Sequence, residues 1–259
     1  MRWVVTLASG RTAFVKAAVD EPTADWLRRE HRVYEAIRAP FLPRLIAFHD
    51  VDGRPLLVLE DLSAARWPPP WSAGDVDAVR MALDEIHATS PPRGLPRLEE
   101  VLETGGWAVV AAAPAAFLSL GLVSAGWLDR ALPLLVAAEA AAQLDGAALL
   151  HLDIRSDNLC LRDGRTILVD WNHACLGNPV IDVAFWLPSL QNEGGPPPET
   201  LLPDAPGASA VVSGFFAARA GLPPIPTAPG VRRVQLAQLR AALPWAVRAL
   251  ALEAITPAR

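Results

Sequence analysis

The sequence predicts an α+β fold, with a small strand-rich amino-terminal part, residues 1–62, ahead of a larger and mainly helical part, residues 63–259. Three observations carry this. Strand-like segments and one amphipathic helix fill the first 62 residues, and a proline- and tryptophan-rich loop from Trp67 to Trp71 follows them. Helical periodicity then dominates, except across a strand–turn–strand segment from Leu149 to Val169.

The elements are justified in order along the chain. Trp3 to Leu7 and Thr12 to Lys16 read as two strands around the turn Ala8-Ser9-Gly10-Arg11, a β-hairpin that ends on Lys16. From Thr23 to Arg38 the positions Trp26, Leu27, Val33, Tyr34 and Ile37 recur at helical spacing, with Glu30 mid-helix and Pro40 beyond the end. Pro55 to Leu62 is a continuous apolar run that fits a buried strand. Val76, Val79, Leu83 and Ile86 mark a helix from Asp75 to Thr89, with Asp75 placed to cap it and His87 near its end. Thr104 to Leu128 has no charged residue over a length that could span a bilayer, but alanine dominates it and Pro114, Gly121 and Gly126 interrupt it, so buried helices are expected there. Further helices are expected over Pro133–Leu144, Ser209–Ala220 and Val231–Leu252, with a Gly/Pro-rich loop over Gly194–Pro206.

Composition excludes several classes of function. The chain of 259 residues is 52% apolar, enough for one large domain or two lobes. A net charge of -5 without a basic stripe argues against nucleic-acid binding. Two cysteines, Cys160 and Cys175, are too few for a disulfide framework, and the sequence opens without a signal-peptide pattern, so a cytoplasmic protein with buried thiols and no membrane partner is expected. Lys16 is the only lysine among 23 basic residues. Where arginine otherwise supplies positive charge, a retained lysine suggests a need for a compact ammonium on a flexible stem.

The densest polar cluster in an apolar setting is His151-Leu152-Asp153-Ile154-Arg155-Ser156-Asp157-Asn158, followed by the turn Arg162-Asp163-Gly164-Arg165 and the strand Thr166 to Val169, which delivers Asp170. Carboxylate and amide oxygens gathered in this way are hard ligands suited to Mg²⁺ beside phosphates. The spacing alone fits equally well a polar hairpin whose Asp and Asn side chains cap turns.

The pattern His151-x-Asp153-x-x-x-x-Asn158 with Asp170 twelve residues on, continued by Gly177-Asn178-Pro179-Val180-Ile181-Asp182-Val183-Ala184, resembles the aminoglycoside phosphotransferase and choline kinase-like families, small-molecule relatives of the protein kinases. The resemblance reaches back to Lys16, Glu30, Leu42-Pro43-Arg44-Leu45 and Leu57 to Leu62. It implies a two-lobed, protein-kinase-like fold and an ATP- and Mg²⁺-dependent O-phosphotransferase acting on a hydroxyl of a small molecule. By the same resemblance Asp153 orients the attacking hydroxyl, Arg155 reaches the transferred phosphate, and Asn158 and Asp170 hold the metal. Lys16, paired with Glu30, contacts the α- and β-phosphates, backbone groups of Glu60 and Leu62 meet the adenine edge, and His151 and Asp182 brace the loop.

Three departures from the family pattern stand out. Leu152 occupies a place where the family usually has glycine. The fifteen residues before Lys16 leave room for two strands but not for the first strand and its glycine-rich loop, which keeps open the alternative of a catalytically silent kinase-like binding protein. After Leu190 four acidic residues stand against six arginines, so the acceptor is expected to be neutral or anionic rather than a polycation. His173 is a further candidate for substrate contact, and Trp107, Trp127, Trp186 and Trp245 are candidates for lining an acceptor pocket as well as for the core.

Overall fold

The computed structural model describes residues 1–256, which form two compact units. Met1–Val101 and Asp145–Asp182 make the first, and Leu102–Leu144 with the chain from Val183 makes the second. This division differs from the boundary at residue 62 read from the sequence. The loop after Leu62 is tied to the polar hairpin further on, because Arg66 and Leu161 exchange both backbone hydrogen bonds, at 3.0 and 2.8 Å. Leu62, Cys160 and Ile167 also share one small core.

In the first unit, strands β1 (Arg2–Thr6), β2 (Thr12–Ala17), β3 (Leu45–Val51) and β4 (Arg54–Glu60) form an antiparallel sheet in the order β1-β2-β4-β3. β3 is an edge strand of half-buried and exposed residues with a bulge between Leu45 and Ala47, and its weak alternation left no strand signal in the sequence. Arg2 pairs with Lys16, Val4 with Phe14, and Phe14 in turn with Leu59. Residues paired across an antiparallel ladder share a face, so these side chains line one surface, while Ala13, Val15 and Val58 form a core cluster on the other.

Helix α1 (Glu21–Ala36) begins at a capping box in which the Asp20 carboxylate accepts from Thr23 N–H and the Thr23 hydroxyl accepts from Asp20 N–H, and it ends where Ile37 turns extended. In α2 (Ala73–Ala88) the cap is Ser72, and Asp75 is its reciprocal partner three residues in, a correction to the capping role expected for Asp75. After the short α3 (Leu98–Val101), β5 (Ala148–Leu150) pairs antiparallel with β8 (Cys175–Gly177), and β6 (Leu159–Arg162) with β7 (Arg165–Leu168). Positive φ at Asp163 and Gly164 makes the tight Asp-Gly turn between β6 and β7. Burial pushes the free thiols of Cys160 to about 11 and Cys175 to about 12, so both stay protonated structural groups.

The second unit holds α4 (Gly106–Ala112), α5 (Ala115–Leu118) and α6 (Ala125–Ala140), most of α7 (Pro179–Asn192), and α8 (Pro198–Leu201), α9 (Pro206–Ala220) and α10 (Val231–Ala249). The uncharged stretch from Thr104 to Leu128 thus forms two short helices and the start of a third. Among the described residues no helix is long and apolar enough to cross a membrane. Glu139 of α6 accepts from the backbone N–H of Gly106 and Trp107, at 2.9 and 2.8 Å, and so satisfies the first donors of α4. Trp107, Trp127, Trp186 and Trp245 are all buried to within 1% exposure, which makes them core residues rather than walls of an open acceptor pocket.

The β5–β8 pair, which leads into His151, depends on close backbone approach. A Cβ at Gly146 would lie 2.2 Å from the Gly177 carbonyl oxygen. Gly146→Ala is therefore expected to force β8 away and to destabilise the protein by about 1–3 kcal/mol in urea unfolding, a loss typical of overpacking.

Candidate active site

All ten residues assigned to a site from the sequence lie in the first unit, and the structure joins most of them through direct contacts. β2 carries Lys16 and α1 carries Glu30. Lys16 Nζ donates to both Glu30 carboxylate oxygens, at 2.8 and 2.9 Å, and to Asp170 Oδ1 at 3.0 Å. The Lys16 and Glu30 side chains are buried, and that of Asp170 is 17% exposed. Two groups that sequence reasoning did not assign complete this contact. The Tyr34 hydroxyl donates to Glu30 Oε1 at 2.8 Å, and Arg2 Nη2 donates to Asp170 Oδ2 at 2.9 Å. Burial, reinforced by the Glu30 carboxylate, pushes the Tyr34 phenol well above its usual value, so it remains a donor. Burial alone would raise the Asp170 carboxyl, but Lys16 and Arg2 outweigh it and hold the group below the ordinary carboxylate range.

The loop from His151 to Asn158 is fixed from two sides. Asp182, fully buried near the start of α7, accepts from His151 N–H at 3.0 Å and Leu152 N–H at 2.6 Å, and His87 Nε2 lies 3.1 Å from the same carboxylate. Successive N–H groups converge on one anion where the backbone turns left-handed, and Leu152 has φ +64°. That conformation is one that glycine adopts without the cost a side chain brings. On the other side, Asp153 N–H donates to His151 Nδ1 at 3.3 Å, which leaves Nε2 to carry the proton it gives to the Val169 carbonyl at 2.9 Å. His151 therefore links the loop to the strand end that delivers Asp170, and edge contact with Trp171 at 4.7 Å holds its ring.

Asn158 Nδ2 donates to the Asp153 carbonyl and to Asp153 Oδ2, at 2.9 and 2.8 Å, and the Asn158 carbonyl accepts from Val169 N–H at 2.8 Å. Arg155 is held by Asp157, at 3.1 and 3.0 Å, with Asp153 Oδ1 3.5 Å away. Half-buried His173 lies with its ring 6.4 Å from that of Trp26, and burial pushes its imidazole below the usual value although Asp153 opposes the shift.

A cavity of about 380 Å³ opens beside these groups, within the range typical of small-molecule sites. Val4, Phe14, Leu59, Leu62 and Val169 supply apolar lining, and Lys16, Asn158 and Asp170 supply polar groups. Glu60 and Leu62 also line it. The Glu60 carboxylate pairs with Arg162 at 3.2 Å and its N–H donates to the Arg44 carbonyl, while the Leu62 carbonyl accepts from Ala65 N–H and Trp67 Nε1.

A family model described as phosphotransferase enzyme family matches residues 2–205. The chain belongs to that family. It is therefore a phosphotransferase by descent, and its fold agrees. The apo form of a thermostable mutant of aminoglycoside phosphotransferase APH(4)-Ia is similar over 96% of this chain and 90% of its own, with a TM-score of 0.61 at 16% identity. Choline kinase LicA from Streptococcus pneumoniae is similar over 96% and 89%, with a TM-score of 0.57 at 14% identity. Amicoumacin kinase hAmiN, solved with AMP-PNP and Ca²⁺, is similar over 99% and 80%, with a TM-score of 0.53 at 13% identity. At these identities the likeness is one of fold. The sequence matches no curated protein.

The left-handed backbone at Leu152 inverts the usual order of substitution effects. Leu152→Gly, although it removes a whole side chain, is expected to change stability by less than about 1 kcal/mol because it relieves the backbone. Leu152→Val, a smaller apolar change, is expected to cost about 1–3 kcal/mol because a β-branched residue resists positive φ. Paired denaturant melts of the two variants would show this order.

Proposed function

We propose that this phosphotransferase moves the γ-phosphoryl group of ATP to a hydroxyl of a small neutral or anionic molecule, in the cytoplasm and with Mg²⁺. The observation that carries the reading is Lys16 bridging Glu30 and Asp170 at a cavity with both apolar and polar lining. In this reading residues 1–62 handle the nucleotide and residues 63–259 supply the catalytic loop and the acceptor site.

The residues present suit these groups. The chain segments of Glu60 and Leu62 flank the cavity, where their backbone groups would meet an adenine edge. The Asn158 Nδ2 contacts with Asp153 leave Oδ1 as the ligating atom, and together with the Asp170 carboxylate it gives two hard oxygen donors. Among the described residues no group of three or more His, Cys, Asp or Glu side chains forms a metal cage, and Mg²⁺ held by one or two protein groups plus phosphates needs none. When bound, the cation supplies charge neutralisation at the phosphates. Nucleotide use is supported by the AMP-PNP found with the amicoumacin kinase of similar fold.

The protein groups then have separate tasks. Asp153, oriented by Asn158, accepts the proton of the attacking hydroxyl. Lys16, fixed by Glu30, grips the α- and β-phosphates, and Arg155 exchanges Asp157 for the transferred phosphate, where its charge counts during transfer. His151 and Asp182 act only through the loop they brace. The balance of four acids and six arginines after Leu190 disfavours a polycationic acceptor.

A screen of hydroxylated acceptors for magnesium-dependent ATP consumption tests the reading, with Asp153→Ala as the blank. The blank is expected to lose on the order of 10²–10⁴-fold in turnover, the usual contribution of a general base. Equal consumption by the blank and the parent for every acceptor would reject the assignment of Asp153. Lys16→Arg keeps the charge but replaces a point donor to three oxygens with a longer planar fork. It is expected to lose about 100-fold in turnover, as a misplacement of about 1 Å can cause. Full activity in that variant would show that charge alone suffices at position 16.

A further inference from the structure

The pairing of Arg2 with Lys16 sets two cations side by side on one face of the sheet. Both reach one carboxylate, at 3.0 Å for Lys16 and 2.9 Å for Arg2. They are held very differently. Lys16 is buried and shared with Glu30, whereas the Arg2 side chain is 64% exposed and lines the cavity alongside Asn158 and Asp170. With its own side chain largely in solvent, Arg2 is more strongly screened than Lys16, so its contact with Asp170 contributes less to stability than the enclosed one. Its chemistry suggests a further role: a guanidinium fork matches phosphate oxygens in a bidentate way that an ammonium does not. A divalent cation taken up by a carboxylate repels the monovalent partners already there, and the exposed Arg2 is freer to leave than the enclosed Lys16.

We propose that Arg2 is a phosphate-binding residue, which neutralises Asp170 in the nucleotide-free protein and passes from Asp170 Oδ2 to the phosphate oxygens of a magnesium nucleotide when one binds. The inference rests on the nucleotide reading above and adds to it a ligand from β1, ahead of the residues on which the sequence resemblance rests. The exchange keeps the charge of the site nearly constant, because the cation released by Asp170 is taken up by the anion that arrives.

Calorimetric titration of the full chain tests this without any turnover. AMP-PNP with Mg²⁺ is one probe and Mn²⁺ alone is the other, each against the parent protein, Arg2→Ala and Arg2→Lys. Arg2→Ala is expected to bind the magnesium nucleotide about tenfold more weakly, with a shallower salt dependence, the loss being of the size of one charge-assisted contact. The same variant should bind Mn²⁺ alone more tightly than the parent, because Asp170 has lost a competitor. Arg2→Lys should fall between the two for the nucleotide. These opposite signs separate a residue that changes partner from one that merely supports the sheet, which would weaken both. Unchanged nucleotide affinity in Arg2→Ala, or weaker Mn²⁺ binding, overturns the proposal. No nucleotide binding by the parent would overturn the nucleotide reading itself.

Discussion

Lys16 stands between two carboxylates, and the three groups come from β2, α1 and the end of the β6–β7 hairpin. Taking charges out of water is expensive, and a buried pair holds together only where good geometry and further hydrogen bonds compensate. The arrangement meets that condition. Glu30 Oε1 accepts from Lys16, from the Tyr34 hydroxyl and from Asp170 N–H, and Glu30 Oε2 accepts from Lys16. Removal of one partner from such a pair costs about 3–5 kcal/mol because the other is left buried and unbalanced. The same contact therefore aligns sheet, helix and hairpin and fixes the polar end of the cavity. α1 is tied to this region a second time, where Arg29 donates to the Asn172 carbonyl at 3.3 Å.

The loop from His151 to Asn158 is held by a different device. Its ties to the surrounding chain run through the Asp182 carboxylate and through neutral groups, namely backbone N–H groups and an imidazole in one tautomer. Neutral hydrogen bonds fix direction more than they alter the local potential, so the charge facing the cavity comes from Lys16 and Arg2 set against Asp170, Glu60, Asp61 and Asp157. The left-handed residue that lets two N–H groups meet Asp182 is a local strain held in place by the surrounding contacts, a pattern common beside functional sites.

What could be read from the sequence follows from how each feature is encoded. Lys16 stood out because it is the only lysine, and the span from His151 to Asp182 because its polar residues are close together in the chain. The strands and long helices were legible wherever apolar residues repeat with one period over a whole segment, as in β4 and α2. β3 was missed because an edge strand has no fully buried face to impose alternation. Arg2 was invisible as a site residue, since 168 positions separate it from Asp170 and only the register of the hairpin brings them together. Tyr34 reads from the sequence as a core position of α1, and its spacing of four from Glu30 is the available clue to the contact, because such residues are neighbours on a helix surface. Leu152 stands out in the sequence as a departure from the resembled pattern, but its positive φ is a property of backbone shape that no side-chain pattern reports.

Because Lys16 is the sole lysine, its amine gives the molecule an internal reporter. Acylating reagents attack neutral amines, and this ammonium is enclosed by two carboxylates at 5% exposure, so the folded protein protects its one ε-amino group. Acylation at position 16 then measures how often β2, α1 and Asp170 come apart. A mass shift on a single peptide would record the breathing of the site, with no other side chain of the same chemistry to obscure it.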